Sequence, residues 1–307
     1  MRKSMKKYQG LIAASFTPFH EDGSLALERV PALVEHSLKC KLSGLFVVGS
    51  TGEFSALCED ERMKTAEAYL HAAAGRIPII VHVGSCSAEE ASRLAAHARD
   101  NGADGVAAIA PFYFRPANVS QLASFLKPIA KACHPLPFYY YHIPVRTGVC
   151  LKVRELLPLL LDELPNFAGV KFTDNDLFDF QRSLEFAGEP CQILFGWDEI
   201  MISSLAMGAE AAVGSTYNYA PQIYQNIIEA FKRGDMVEAR KWQAQSQSLV
   251  SLLQKYGAGA HKAMMKFCGF DLGPARLPSS SLDSSQELKL KREMDSLQLT
   301  KLLSHGG

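Results

Sequence analysis

The chain of 307 residues lacks several features that mark other classes of protein. Its 32 lysines and arginines balance its 32 aspartates and glutamates, so no excess charge favours binding to nucleic acid or to an anionic membrane. A membrane-spanning helix needs about 18 consecutive apolar residues, and no uninterrupted apolar run in the sequence is that long. The seven cysteines are scattered, odd in number and without a CxxC pair, so neither a disulfide framework nor a zinc ribbon is indicated.

Motifs for nucleotide binding and for export are also missing. The sequence contains neither GxGxxG nor GxxxxGK[ST], so it gives no support for a nucleotide cofactor. The basic start at residues 1–7 is followed by a strand-like run, without the apolar stretch and small-residue cleavage site of a secretory signal. We therefore expect a cytoplasmic protein that acts on a small molecule, with no membrane or nucleic-acid partner.

What the sequence does contain is a repeat of short apolar, β-branched runs that alternate with longer segments of helical periodicity. This alternation is typical of parallel strands joined by helical crossovers, and the continuous apolar runs suit strands covered on both faces. The predicted strands are 11–16, 44–48, 79–83, 105–109, 137–141, 167–171, 193–195 and 211–214. The predicted crossover helices are 26–40, 57–74, 87–101, 118–132, 152–162, 175–187, 197–208 and 219–232.

Eight such units in about 220 residues predict an α/β fold of the TIM, or (β/α)8, barrel type, because an open doubly wound sheet typically has fewer strands. We assign residues 1–232 to this barrel. Further helical patterns at 235–256, 258–268 and 286–303 predict appended C-terminal helices. We expect residues 233–307 to form an extension that packs on the barrel, not a second catalytic domain.

Polar residues at the carboxyl ends of the strands are the candidates for chemistry, because the active sites of such barrels lie at that end. The segment GSTGE at 49–53 follows the second strand, and its backbone amides and hydroxyls can hold a carboxylate, or it is only a turn that caps a helix. The fifth strand ends in Tyr139, Tyr140, Tyr141 and His142. Alternation places Tyr139 and Tyr141 on one face, where a phenol can relay protons or simply pack.

The sixth predicted strand ends on Lys171. A strand-end lysine commonly extends to solvent, but burial inside a barrel favours the neutral amine, which can attack a ketone and form a Schiff base. The apolar neighbours and the preceding tyrosine-bearing strand favour the second reading. GWDE at 196–199 and GSTYN at 214–218 offer carboxylates and hydroxyls to a polyhydroxylated ligand, although Asp198 and Glu199 are also suited to starting a helix.

Five segments occur in a recognisable order along the chain: GSTGE at 49–53, YYHIP at 140–144, GVKFTD at 169–174, GWDE at 196–199 and GSTYN at 214–218. In this order the sequence resembles the superfamily of N-acetylneuraminate lyases and dihydrodipicolinate synthases, and GPARLP at 273–278 also resembles its lyase branch. The resemblance implies a class I aldolase that binds pyruvate as a lysine imine, without cofactor or metal. It would cleave N-acetylneuraminate, a sialic acid, reversibly to N-acetylmannosamine and pyruvate.

The resemblance also implies roles for particular residues. Lys171 matches the Schiff-base lysine, and Tyr141 matches the proton-relaying tyrosine. Ser50 and Thr51 match the pair that holds the substrate carboxylate, and Tyr113 matches a tyrosine that reaches across an interface of the expected homotetramer. The positions that match contacts to the sugar hydroxyls are Thr173, Gly196, Asp198, Glu199 and Ser215.

Arg146 departs from the lyase pattern, which has an apolar residue at this position. Dihydrodipicolinate synthases have an arginine there that binds a carboxylate, so a pyruvate-dependent aldolase with an acidic aldehyde acceptor is the alternative function. An Arg146 that points outward, or pairs with Asp198 or Glu199, would leave the sugar chemistry intact, and the later segments favour this. A barrel that binds keto acids without catalysis is a further alternative, against which the presence of Lys171 and Tyr141 argues.

Overall fold

The computed structural model describes residues 7–188 and 191–304. Within them, parallel strands close into a barrel in which each strand pairs with its sequence neighbours and the last pairs with the first. The predicted (β/α)8 fold is confirmed. The strands are β1 Gly10–Ala14, β2 Gly44–Val47, β3 Ile79–His82, β4 Gly105–Ile109, β5 Phe138–His142, β6 Phe167–Phe172, β7 Gln192–Phe195 and β8 Ala211–Gly214.

Helices surround the strands and continue beyond the eighth of them. Side chains define several of their starts: Ser87 accepts a hydrogen bond from Glu90 N at 3.2 Å, and Asn118 accepts one from Gln121 N at 2.9 Å. The crossover helices are α1 Val30–Lys39, α2 Glu59–Ala73, α3 Ala88–Asp100, α4 Val119–Cys133, α5 Pro144–Thr147, α6 Val153–Glu163, α7 Leu177–Ala187 and α8 Met201–Ala206. The later helices are α9 Pro221–Lys232, α10 Met236–Tyr256, α11 Gly259–Phe267 and α12 Ser284–Ser296.

Alternate residues of the strands pack into two separate apolar regions. Tyr139 and Tyr141 lie inside the barrel with Phe46, whereas Tyr140 packs outside, between the sheet and the helices. The alternation predicted for β5 is therefore confirmed. Because side chains fill the barrel interior, a ligand has room only at its end.

The chain after α11 departs from the prediction in one place. The predicted helix 286–303 is wrong in its second half, since α12 ends at Ser296 and a single 3-10 turn follows at Thr300–Leu302. Gln298 adopts a left-handed φ of 57°, and the reversal allows Leu299 to be buried. A continued helix would carry this leucine away from the core.

The C-terminal helices contact the barrel through specific polar bonds. In α10, the Gln243 amide and the Ser246 hydroxyl both donate to the backbone oxygen of Asp198, each at 3.2 Å. A division into residues 1–232 and 233–307 stays a prediction, and its ends at 1–6 and 305–307 lie outside the described residues. Across the described ranges, no helix has both the length and the apolar character of a membrane span.

Candidate active site

A cavity of about 790 Å³ lies at the carboxyl ends of the strands, and we call it the barrel-mouth cavity. Most of the predicted site residues line it. They are Ser50, Thr51, Tyr141, Arg146, Lys171, Thr173, Gly196, Asp198, Glu199 and Ser215. The structure does not bring Tyr113 to this wall, because its side chain lies in the loop after β4 and is 78% exposed.

Lys171 and Tyr141 are neighbours because β5 and β6 pair in register. Their Cα atoms are partners across the two strands, so both side chains point to the same face of the sheet. The Lys171 Nζ lies 3.9 Å from the ring centroid of Tyr141 and 4.1 Å from that of Phe46. Lys171 is only 4% exposed, so it does not extend to solvent. An amine held between two aromatic faces at the base of a cavity is well placed to meet a bound carbonyl group.

The loop after β2 carries Ser50 and Thr51 to the opposite part of the wall. Hydrogen bonds to its backbone shape it: Glu53 N donates to Ser50 O at 3.1 Å, and the Thr17 hydroxyl donates to Gly52 O at 2.7 Å. The helical turn that follows has no side-chain cap in the described structure. The segment is therefore a turn, as the alternative held, but it supplies no side-chain cap among the described residues, and both Ser50 and Thr51 line the cavity.

Asp198 begins the 3-10 turn Asp198–Ile200 that follows β7 and leads into α8, as its suitability for a helix start predicted, and it is almost completely buried. Its Oδ2 accepts a hydrogen bond of 2.5 Å from the Thr216 hydroxyl after β8, whereas its Oδ1 has no partner of hydrogen-bond geometry among the described residues. Burial raises the pKa of the Asp198 carboxyl, and the Thr216 and Tyr217 hydroxyls and the charge of Lys171 act in the opposite direction. Burial also raises the pKa of the neighbouring Glu199. The carboxyl group therefore lines the cavity with Oδ1 buried against Gly214.

Two glycines allow the strand ends to approach these polar groups closely. A Cβ atom on Gly196 would lie 2.1 Å from Thr173 Oγ1, and one on Gly214 would lie 2.2 Å from Asp198 Oδ1. Thr173 Oγ1 is buried and has no hydrogen-bond partner in the part of the chain that is described. The loops after β6, β7 and β8 therefore bring together polar atoms that the protein itself does not satisfy.

Arg146 lies on the short helix α5, where its side chain is exposed and lines the cavity. The alternative in which it pairs with Asp198 or Glu199 is wrong, since Arg146 makes no ion pair within the described ranges. The charge of Arg146 acts instead on His261. Burial lowers the pKa of the His261 imidazole to about 4, and the charge of Arg146 contributes to a smaller extent. The guanidinium thus stands at the mouth of the cavity without a carboxylate partner.

Sequence reasoning missed the part of the wall that comes from the C-terminal helices. This part includes Val250, Leu253, Gln254, Gly257, Ala258, His261 and Lys262. The periodicity of α10 and α11 indicates that they pack on the barrel, but it does not say which turn reaches the barrel mouth. The adjacent polar pair His261 and Lys262 in a helix with a buried apolar face is the one local signal that was available.

Fold and cavity together define a (β/α)8-barrel enzyme. A model of the dihydrodipicolinate synthetase family matches residues 7–297, and the chain belongs to this family. It is 41% identical to the N-acetylneuraminate lyases of Pongo abelii and Homo sapiens, over 97% of this chain and 96% of each relative. Among solved structures it is similar to N-acetylneuraminate lyase of Proteus mirabilis, with 32% identity and a TM-score of 0.93 over 96% of this chain and 100% of that chain. The resemblance predicted from the sequence motifs is confirmed.

Proposed function

We propose that the protein is a class I aldolase that cleaves N-acetylneuraminate reversibly to N-acetylmannosamine and pyruvate. The observation that carries this proposal is Lys171, a buried lysine that lies against the Tyr141 ring in a cavity lined by hydroxyls and carboxylates. The relatives named N-acetylneuraminate lyase support the same substrate.

In the proposed reaction the lone pair of the Lys171 amine attacks the C2 ketone of the open-chain sugar, and loss of water gives an iminium ion. The bond between C3 and C4 then breaks, and its electron pair moves into the iminium to give an enamine. Tyr141, aided by the substrate carboxylate, takes the proton that leaves the C4 hydroxyl, so that this carbon becomes the aldehyde of N-acetylmannosamine. Protonation of the enamine at C3 and hydrolysis release pyruvate and restore the lysine.

The remaining residues of the cavity bind and orient the substrate in this proposal. Ser50 and Thr51 hold the carboxylate, in a loop whose backbone is already held by hydrogen bonds. The contacts to the sugar hydroxyls come from Thr173, Gly196, Asp198, Glu199 and Ser215. The polar groups that these residues bring to the cavity wall support this part, because a site built to bind hydroxyls discriminates against ligands that leave its polar atoms unpaired. The lysine imine supplies the electron sink, so the reaction requires no metal or cofactor.

We also propose that the enzyme is a cytoplasmic homotetramer. The exposed thiols of Cys58, Cys86 and Cys150 suit a reducing compartment. Tyr113 and the adjacent Phe114 are exposed aromatic side chains at the barrel mouth, which suits a contact with a second subunit.

The test of this function is a substrate comparison on the purified protein. One assay offers N-acetylneuraminate and measures released pyruvate, and a second offers pyruvate with aspartate semialdehyde and measures condensation. We expect turnover in the first assay only, and nearly unchanged turnover in Arg146→Leu. Condensation of aspartate semialdehyde that is lost in Arg146→Leu would instead establish the acidic-acceptor aldolase.

A further inference from the structure

Part of the wall of the barrel-mouth cavity comes from the C-terminal helices and not from the strand ends. Gln254 of α10 and His261 of α11 line the same cavity as Lys171. The helix α10 is also fixed to the loop after β7, where Gln247 Nε2 donates to Glu199 O at 3.1 Å. If the keto-acid end of a substrate is bound at Lys171 and its middle at the loops after β7 and β8, its far end reaches these helices.

The His261 ring is hydrogen-bonded at Nδ1, whereas its Nε2 has no hydrogen-bond partner among the described residues. Its Nδ1 lies 2.9 Å from the hydroxyl of Tyr219, a buried residue that follows β8. The ring is neutral at pH 7 because its pKa is low. Burial raises the pKa of the Tyr219 phenol, which therefore stays protonated and donates to Nδ1. A neutral imidazole that accepts at Nδ1 carries its proton on Nε2, so this edge is a donor.

The helix that carries His261 is held in place by the next residue. Lys262 is buried, and its Nζ lies 2.9 Å from Glu53 Oε1, in the loop after β2, and 2.7 Å from the backbone oxygen of Pro274. These bonds connect α11 to the loop that carries Ser50 and Thr51. With Tyr219 holding the ring and Lys262 holding the helix, the donor edge of His261 is preorganised before a ligand arrives.

We infer that His261 is a specificity-determining residue that donates a hydrogen bond from Nε2 to a hydroxyl at the far end of the acceptor sugar. It thereby favours long polyhydroxylated acceptors over short aldehydes. The inference rests on the proposed function, because it takes Lys171 as the position of the keto acid. His261 takes no part in bond cleavage, so its contribution is confined to binding of the acceptor half.

The test follows condensation with pyruvate for a long acceptor, N-acetylmannosamine, and a short one, glyceraldehyde. In His261→Leu we expect kcat/KM for the long acceptor to fall about tenfold, mainly through KM, because one hydrogen bond is lost. The short acceptor, which does not reach α11, keeps its kcat/KM. His261→Gln retains an N–H donor and should recover part of the loss. His71→Leu, the same change at an exposed position of α2, is the matched control and should alter neither acceptor.

The possible outcomes separate the inference from the proposed function. An equal loss of kcat/KM for both acceptors in His261→Leu would show a purely structural role through Tyr219, and unchanged kcat/KM for both acceptors would show no contact, so either result overturns the inference. If the wild-type enzyme cleaves N-acetylneuraminate, these results leave the proposed function standing. If the wild type condenses pyruvate with neither acceptor and does not cleave N-acetylneuraminate, the proposed function and the inference both fail.

Discussion

Tyr141 shows at the scale of a single residue how strand pairing sets up a reactive pair. Its ring packs against the Lys171 amine, whereas Tyr140, one position earlier, points out of the barrel and has its hydroxyl 3.4 Å from His142 Nδ1. The two tyrosines belong to the same strand and differ in the face that they occupy. Only Tyr141 borders the cavity, which makes Tyr140 a suitable control for removal of a hydroxyl group.

We predict that Tyr141→Phe lowers turnover of N-acetylneuraminate by a factor of about 10² to 10⁴, the usual contribution of a general acid or base. Trapping of pyruvate on the lysine should persist, because the Phe ring keeps the packing around Lys171. Tyr140→Phe should retain activity. Steady-state assays and imine trapping on the same preparations provide the measurement, and full activity in Tyr141→Phe would remove the phenol from the mechanism.

Sequence reasoning succeeded for residues whose position depends on local pattern. Alternation along β5 was enough to predict that Tyr139 and Tyr141 share a face, and the apolar strand that ends on Lys171 favoured a buried lysine, whereas the choice of Tyr141 as its partner came from the family resemblance. It failed for His261, because the contact of α11 with the cavity depends on how the helix docks. For Arg146 it left open a pairing with Asp198 or Glu199 that the structure does not contain, since such contacts depend on side-chain reach across separate loops.

At the scale of secondary-structure elements, the ends of β7 and β8 approach so closely that a side chain cannot fit between them. Gly214 ends β8 against the Asp198 carboxylate after β7, and Thr216 bonds that carboxylate from the same side. The glycine is required here by the close approach of the two elements, because its backbone φ does not lie in the left-handed region.

We predict that Gly214→Ala destabilises the protein by about 1–3 kcal/mol, the usual cost of forcing an extra atom into a packed site. The added Cβ would lie 2.2 Å from Asp198 Oδ1 and would displace the carboxylate, so activity should fall as well. In an Asp198→Ala background the same substitution should cost clearly less, because the clashing atoms are gone. Urea unfolding of the four proteins measures this coupling. An equal cost in both backgrounds would contradict the explanation.

The strands themselves were predictable, because runs buried on both faces are apolar throughout. The end of α12 was not. Its helical periodicity continues past Ser296, but the chain reverses at Gln298, and Leu299, Leu302 and Leu303 are buried after the reversal. Boundaries of this kind depend on tertiary packing, so the local pattern alone places them poorly.

At the scale of the whole molecule, Arg276 fastens the segment after α11 to the barrel. Its guanidinium donates to both Glu61 oxygens of α2, at 2.6 and 2.7 Å, and to the backbone oxygen of Gly23. These bonds lower the pKa of Glu61 to about 2. Because the pKa is lowered on folding, the stabilisation is complete above the ordinary value of 4.5 and is lost as the pH falls toward 2.

We predict that Glu61→Gln lowers the free energy of unfolding at pH 7 by about 1–3 kcal/mol, in the range for a charge-assisted hydrogen bond in a partly buried pair. The difference in unfolding free energy between wild type and variant should narrow as the pH falls below 4.5, because protonation then removes the charge of Glu61 in the wild-type protein as well. Glu89→Gln, at an exposed position of α3, should have little effect. Denaturant unfolding at several pH values gives the comparison, and a difference that is constant with pH would rule out the ion pair as the cause.

The proposed assembly gives a second prediction at this scale. Tyr113 and Phe114 are 78% and 86% exposed, and the centroids of their two rings are 5.0 Å apart. We expect light scattering to give the mass of a homotetramer, and a smaller species when both residues are changed to serine. A monomeric mass for the wild-type protein would contradict the proposed assembly.

The central claim is that Lys171 is the amine that forms an imine with pyruvate. The direct measurement is borohydride reduction in the presence of pyruvate, followed by mass analysis of the peptides. The account predicts that the reduced pyruvyl adduct is found on the peptide that contains Lys171, and that Lys171→Met forms none. Absence of an adduct in the wild type, or an adduct on another lysine such as Lys262, would contradict it.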